Sequence, residues 1–157
     1  MHSKKVVISI ILAGLVGLAS AIIMLALKGP TSPLSADITS QVNFPIYYPN
    51  PKKIPPGYSY VKDSAHIQHS TLFFQIKNQD KTILFSEQSS PATTLGLSSL
   101  VGFEAFEAPI GTVYAGQQKT GPTALIQTPK ILISITGSAD VSQDVVSTIA
   151  KALAPLK

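Results

Sequence analysis

Thr71-Leu72-Phe73-Phe74-Gln75-Ile76-Lys77 and Lys81-Thr82-Ile83-Leu84-Phe85-Ser86-Glu87 are two alternating runs on either side of Asn78-Gln79-Asp80. Side chains along a strand point to opposite faces in turn, so Leu72, Phe74 and Ile76 share one face of the first run. Ile83 and Phe85 share one face of the second. The polar, turn-forming centre makes the pair a β-hairpin, with both apolar sets expected in the core.

Working outward, the neighbouring segments also read as strands and turns. Upstream, Phe44-Pro45-Ile46-Tyr47-Tyr48-Pro49 is a short extended segment that its prolines restrict to an edge or a strand start. Asn50 to Gly57 is a proline-rich turn region, Tyr58 to Val61 a strand, and Ser64 to Gln68 a further extended piece. Downstream, Leu95 to Val101 suits one or two helical turns ended by Gly102 as a C-cap. Phe103 to Glu107, Thr112 to Gln117, Thr123 to Thr128 and Lys130 to Thr136 read as strands, with Ile131, Ile133 and Ile135 on one face.

The chain closes on a helix. Asp140 is the expected N-cap, paired with Gln143 in a capping-box-like arrangement. Val145, Val146, Ile149, Ala150 and Leu153 paint one apolar stripe, and Pro155 stops it. A single amphipathic helix after a run of antiparallel strands should lie across one face of the sheet. The expected class is α+β: an N-terminal transmembrane helix, then a mainly antiparallel β-sheet domain with the C-terminal helix packed on one face.

The membrane expectation rests on Val6 to Leu27, twenty-two residues with no charge and no proline. As a helix this stretch covers roughly 30 Å, the thickness of a bilayer's hydrocarbon core. It exceeds the apolar region of a signal peptide, and the nearest cleavage-like site, Leu34-Ser35-Ala36, has leucine where a small residue is wanted, which favours an uncleaved anchor. Lys4, Lys5 and the terminal amine precede it, so the positive-inside rule keeps residues 1–5 cytoplasmic and exports the rest. The expected organisation is a tail (1–5), a transmembrane helix (6–27), a linker (28–43, opening on Gly29-Pro30-Thr31-Ser32-Pro33) and an extracytoplasmic domain (44–157) at the cell membrane. Ala13, Gly17 and Ala21 form a small-xxx-small face through which two such helices could pair as a homodimer.

Composition excludes several functions. From Gly29 onward nine lysines face eight acids, so the +4 net charge is mainly a flank of the apolar segment and not a nucleic-acid footprint. The chain has no arginine, hence no guanidinium clamp or base stack. It has no cysteine, hence no disulfide, thiolate metal site, cysteine nucleophile or lipoprotein anchor.

Four segments together carry a resemblance: residues 44–49 (FPIYYP), 54–58 (IPPGY), 82–88 (TILFSEQ) and 111–116 (GTVYAG). With them the chain resembles small bacterial single-pass membrane-anchored proteins of unknown function, including those of reduced-genome candidate-phylum bacteria. The exported part is similar to extracytoplasmic domains of anti-sigma-factor-like and sporulation-associated proteins. These motifs are turns and core strands, so the resemblance implies a fold and no catalytic residues. With five residues ahead of the apolar segment in this sequence, direct transcriptional signalling through an anti-sigma factor's cytoplasmic sigma-binding domain is not expected.

Chemistry-bearing residues are sparse. His66 and His69 are three apart, which puts them on opposite faces of a strand, and only Asp63 is near, so no metal site is assigned. Glu104 and Glu107 also fall on opposite faces and read as solvated carboxylates. No nucleophile elbow and no phosphate-binding glycine loop occurs. No catalytic residue or cofactor is therefore assigned. Tyr47, Tyr48, Tyr58 and Tyr60 are the best candidate recognition surface, since tyrosine joins a flat apolar body to a polar tip; the competing reading packs them on the edge of the sheet. The expected function is a membrane-anchored binding or scaffold domain engaging an envelope protein partner. The alternatives are an envelope hydrolase, which needs convergent polar residues, or a carrier of a lipid or lipid-linked group, which needs an apolar cavity.

Overall fold

Strand β4 (Thr71–Asn78) and strand β5 (Lys81–Ser89) form the hairpin at the centre of the structure. Phe74 and Phe85 face each other in it, with rings stacked at 4.5 Å. A computed structural model describes residues 34–91 and 96–156. Helix α1 (Ala36–Ser40) and strands β1 (Tyr47–Pro49), β2 (Ser59–Tyr60) and β3 (His66–Gln68) precede the hairpin. A 3-10 turn (Leu97–Ser99) follows it, then β6 (Phe103–Ala108), β7 (Gly111–Gln118), β8 (Gly121–Gln127), β9 (Ile131–Gly137), helix α2 (Gln143–Lys151) and β10 (Leu153–Pro155).

The main sheet is antiparallel, in the order β2-β4-β5-β9-β8-β7-β6, with β3 also paired to β4. β6 to β9 are a meander of tight turns, and β9 closes back onto β5. Register sets the core. One row across the sheet is Phe74, Phe85, Ile135, Ala124, Ala115; the next is Leu72, Glu87, Ile133, Ile126, Val113. All ten are buried, as a period of two requires when one face is covered. The opposite face alternates Ser86, Ser134, Thr136 and Gln88 with half-buried Phe73, Leu84, Leu125, Leu132 and Tyr114.

Two structures cover the inner face. Helix α2 packs on β7, β8 and β9, burying Val146, Ile149 and Ala150. A separate two-stranded ribbon, β1 with β10, covers the β4–β5 side, where the Tyr48 ring lies 5.7 Å from that of Phe74.

The structure corrects the expected class. The described residues form a predominantly antiparallel β domain of ten strands, with a single nine-residue helix after the meander. The sequence stripe ran through Leu153. The helix in fact ends at Lys151, and Leu153 to Pro155 turn back as β10. Two prolines explain the ribbon. Hydrogen bonds from Leu156 N–H to the Ile46 carbonyl and from Asn50 N–H to the Ala152 carbonyl make Tyr48–Ala154 the bonded pair between them. Pro49 and Pro155 therefore occupy outward positions where no donor is needed. The N-cap is also corrected: the Ser142 hydroxyl accepts from Val145 N–H at 3.4 Å. Asp140 instead accepts from the Ser138 hydroxyl at 2.6 Å.

Among the described residues no helix is long and apolar enough to cross a membrane. The expected transmembrane segment, 6–27, lies outside the described residues. Residues 34–43, placed in the linker from the sequence, contribute to the core: Leu34 is 3% exposed, with Ile38 and Val42 packed alongside.

Gly121 opens β8 at φ +136°, and a Cβ there would lie 2.0 Å from the Gly137 carbonyl oxygen. Gly111 has a similar φ of +131° with open space around it. Gly111→Ala is expected to cost about 1 kcal/mol, from backbone conformation alone. Gly121→Ala adds a backbone collision and is expected to cost roughly 3 kcal/mol or more. Urea unfolding of the two variants measures the difference; equal losses would remove the close approach from the account.

Candidate functional site

The four tyrosines separate into two groups. Tyr58 is buried in the core. Tyr60 and Tyr48 meet edge to face at 6.1 Å, and Tyr48 continues onto Phe74. Burial, then the neighbouring Tyr60, pushes the Tyr48 phenol up to about 12. These three pack the sheet against its ribbon. Tyr47 points the other way, as alternation along β1 demands, and it lines a basin of about 400 Å³.

Three segments build this basin: Tyr47, Asn50 and Lys53 from β1 and the turn after it, Pro109 and Ile110 from the β6–β7 turn, and Lys151 to Pro155 from the end of α2 through β10. Among the described residues, the lining contains two lysines and no acid. Lys151 is steadied by the Phe106 ring, with Nζ 4.6 Å from its centroid, a favourable cation–π placement. Asn50 is oriented by its own turn, since its Oδ1 accepts from Lys52 N–H at 3.0 Å. Among the described residues its amide NH2 has no hydrogen-bond partner. The ionisable side chains and Asn50 thus present donors, beside the apolar walls of Pro109, Ile110, Leu153 and Pro155.

Behind Tyr47 lies Glu87, fully buried between Leu72 and Ile133 on the inner face. Its Oε2 accepts from Tyr47 N–H at 3.1 Å. That is the outward-facing amide of β1, so the carboxyl supplies the acceptor that β10 cannot. Oε1 is buried and has no hydrogen-bond partner among the described residues. Burial pushes the Glu87 carboxyl up from 4.5 to about 8, with the Tyr47 bond opposing weakly. The group is therefore a neutral acid near pH 7. The signal was present in the sequence as parity: Glu87 is two residues on from Phe85, hence on the same face.

The other candidates stay apart. The His66 ring stacks on Phe73 at 5.3 Å, with Nδ1 3.1 Å from the Ser64 carbonyl oxygen. His69 sits in the two-residue turn before β4, with φ +49° followed by Ser70 at +61°, the signature of a type I′ turn. Among the described residues no group of three or more His, Asp or Glu side chains could hold a metal ion. Glu104 pairs across from Ala115 and Glu107 from Thr112, on opposite faces of β6, and Glu107 Oε1 accepts from the Thr112 hydroxyl at 2.8 Å. Ala13, Gly17 and Ala21 lie outside the described residues. No family model matches the chain, and neither a curated protein nor a solved structure matches it.

The buried carboxyl predicts an unusual pH dependence. The folded chain keeps the Glu87 proton up to about pH 8, whereas the unfolded chain releases it near its ordinary value. Between those limits the folded state binds more protons, so stability falls as pH rises, by about 1.4 kcal/mol per unit, and levels off above the folded value. Glu87→Gln keeps the shape and the acceptor for Tyr47 N–H without the titration. Urea unfolding at pH 5, 6, 7 and 8 should show a wild-type decline that the variant lacks, with the variant more stable at pH 7 by roughly 2–3 kcal/mol. Parallel pH profiles would show that Glu87 does not carry the proton.

Proposed function

We propose that this protein is a binding module of the cell envelope, located at the cell membrane with its β domain on the outer side, and that it engages a partner protein through the face containing the basin. The observation that carries the reading is the convergence of Tyr47, Lys53 and Lys151 on one concave site whose described lining holds no acid. An aromatic body beside cationic donors is a common composition of recognition surfaces. The uncharged stretch Val6 to Leu27 and the preceding Lys4 and Lys5 support the location.

Catalysis and lipid carriage have less to stand on. Hydrolysis needs a base within hydrogen-bond reach of a nucleophile or water, and the exposed carboxylates Glu104 and Glu107 diverge. Glu87 is buried and neutral. A carrier needs apolar space between helix and sheet, and there Val146, Ile149 and Ala150 are buried against β7, β8 and β9.

A photo-crosslinking amino acid placed at Tyr47 of the full chain in its native cells tests the reading. It should give one discrete protein adduct, lost in a Lys53→Glu, Lys151→Glu background. The same probe at Lys119, exposed in the β7–β8 turn, should give none. Equal labelling from both positions would overturn the assignment of the binding face.

A further inference from the structure

We infer that the basin is a receptor for the C-terminal end of a peptide: Lys53 and Lys151 take the terminal carboxylate, and Pro109, Ile110 and Pro155 take an apolar last side chain. The inference rests on the binding reading above and names the ligand chemistry.

Four features of the basin lead to it. First, the charged lining groups are both cations, and the oriented Asn50 amide adds a donor, so the complementary ligand is an acceptor carrying negative charge. Second, apolar walls stand beside the lysines: Pro109 and Ile110 come from the β6–β7 turn, and Pro155 follows Lys151 on the third segment. The site therefore fits a group whose charge and apolar branch are adjacent, as they are on the last residue of a peptide, where both leave one carbon. Third, about 400 Å³ is at the small end of ligand sites, roughly 300–1,000 Å³. That suits a chain end better than a passing strand. Fourth, the donors are lysines, with no arginine in the chain and no glycine in the lining. Phosphate sites are usually built from guanidinium forks or a nest of backbone amides, and this basin has neither.

The carbonyl end of α2 abuts the basin and would by itself repel an anion. That end is already answered. The Ala152 carbonyl accepts from Asn50 N–H at 2.9 Å, and Lys151 lies in the last helical turn. The charged side chains of the described lining are both cations.

The test is an NMR titration of the full chain with N-acetyl-leucyl-leucine, its C-terminal amide and inorganic phosphate. The free acid should bind in the millimolar range, shifting the amide signals of Tyr47 and Ala152 to Ala154. The amide should bind at least 10-fold more weakly, the equivalent of one charge-assisted contact. Lys53→Gln and Lys151→Gln should each weaken the acid several-fold, and Lys119→Gln should leave it unchanged. Thermal unfolding verifies that the lysine variants fold, and a fall in wild-type affinity with added salt gives a readout independent of any variant. Equal binding of acid and amide overturns the carboxylate assignment. Phosphate binding at the same residues as tightly as the acid overturns it in favour of a general anion site. No binding of either peptide, with the Tyr47 crosslink intact, overturns the inference and leaves the binding reading standing; loss of both removes both.

Discussion

Covering the inner face of the sheet is the constraint on which the rest of the structure depends. Seven strands in one path span about 29 Å at the usual strand spacing. A helix with its side chains is about 10–12 Å across, and nine residues reach only about 14 Å along the axis. Helix α2 can therefore seal β7 to β9 and no more. The Phe74–Phe85 stack would stand open to water without a second cover, and two fully buried phenylalanines represent roughly 3–6 kcal/mol of transfer free energy. The ribbon of β1 and β10, with Leu34 and Tyr58, closes that half. This is why the chain does not end with its helix but returns for three residues of strand.

A ribbon laid over an apolar face brings a polar difficulty. Each strand of a two-stranded pair has one row of backbone groups turned away from its partner, and burying such a row without acceptors costs free energy. Pro49 and Pro155 remove two of the donors outright. Tyr47 retains its N–H, and Glu87 reaches it from β5. The solution is imperfect, because it leaves Oε1 of the same carboxyl buried without a partner among the described residues. A glutamine would meet the same donor without the cost of a titrating group in an apolar layer. Its place is taken by a group whose neutrality depends on pH, directly behind the residue that lines the basin.

Much of the sheet was legible in the sequence because period-two alternation is a local signal. Leu72, Phe74, Ile76, Ile83, Phe85 and the three isoleucines of β9 identified their own faces, and the turn residues at 78–80 bounded the central hairpin. The class was misjudged where local and non-local signals compete. The stripe from Val145 to Leu153 continues the helical period through residues that the chain uses as a strand, and only the partner strand more than a hundred residues earlier decides between them. The tyrosines were legible as a group but not as individuals. Tyr47 and Tyr48 are adjacent, so they take opposite faces of the ribbon, and which of them meets Phe74 and which lines the basin depends on where the ribbon docks. The basin was not legible at all. Lys53, Ile110 and Lys151 come from three separate segments whose meeting is a property of the closed fold.

The basin's position follows from the same geometry that closes the core. It is lined by one end of the ribbon, by the last residue of the helix and by the turn at the edge of the meander, so it marks the seam where the two covers meet. A ligand seated there touches both covers at once. Lys151 belongs to the helix and Tyr47 to the ribbon, and the strand that joins them, β10, forms the wall between. Binding at such a seam adds to the free energy holding the ribbon in place, because the site exists only when the ribbon is docked. The buried carboxyl acts on the same element from behind, through the Tyr47 amide. A ligand seated there and the Glu87 proton would therefore act on a common three-residue strand from opposite sides, and whatever loosens β1 must weaken both the cover of the core and the basin it lines.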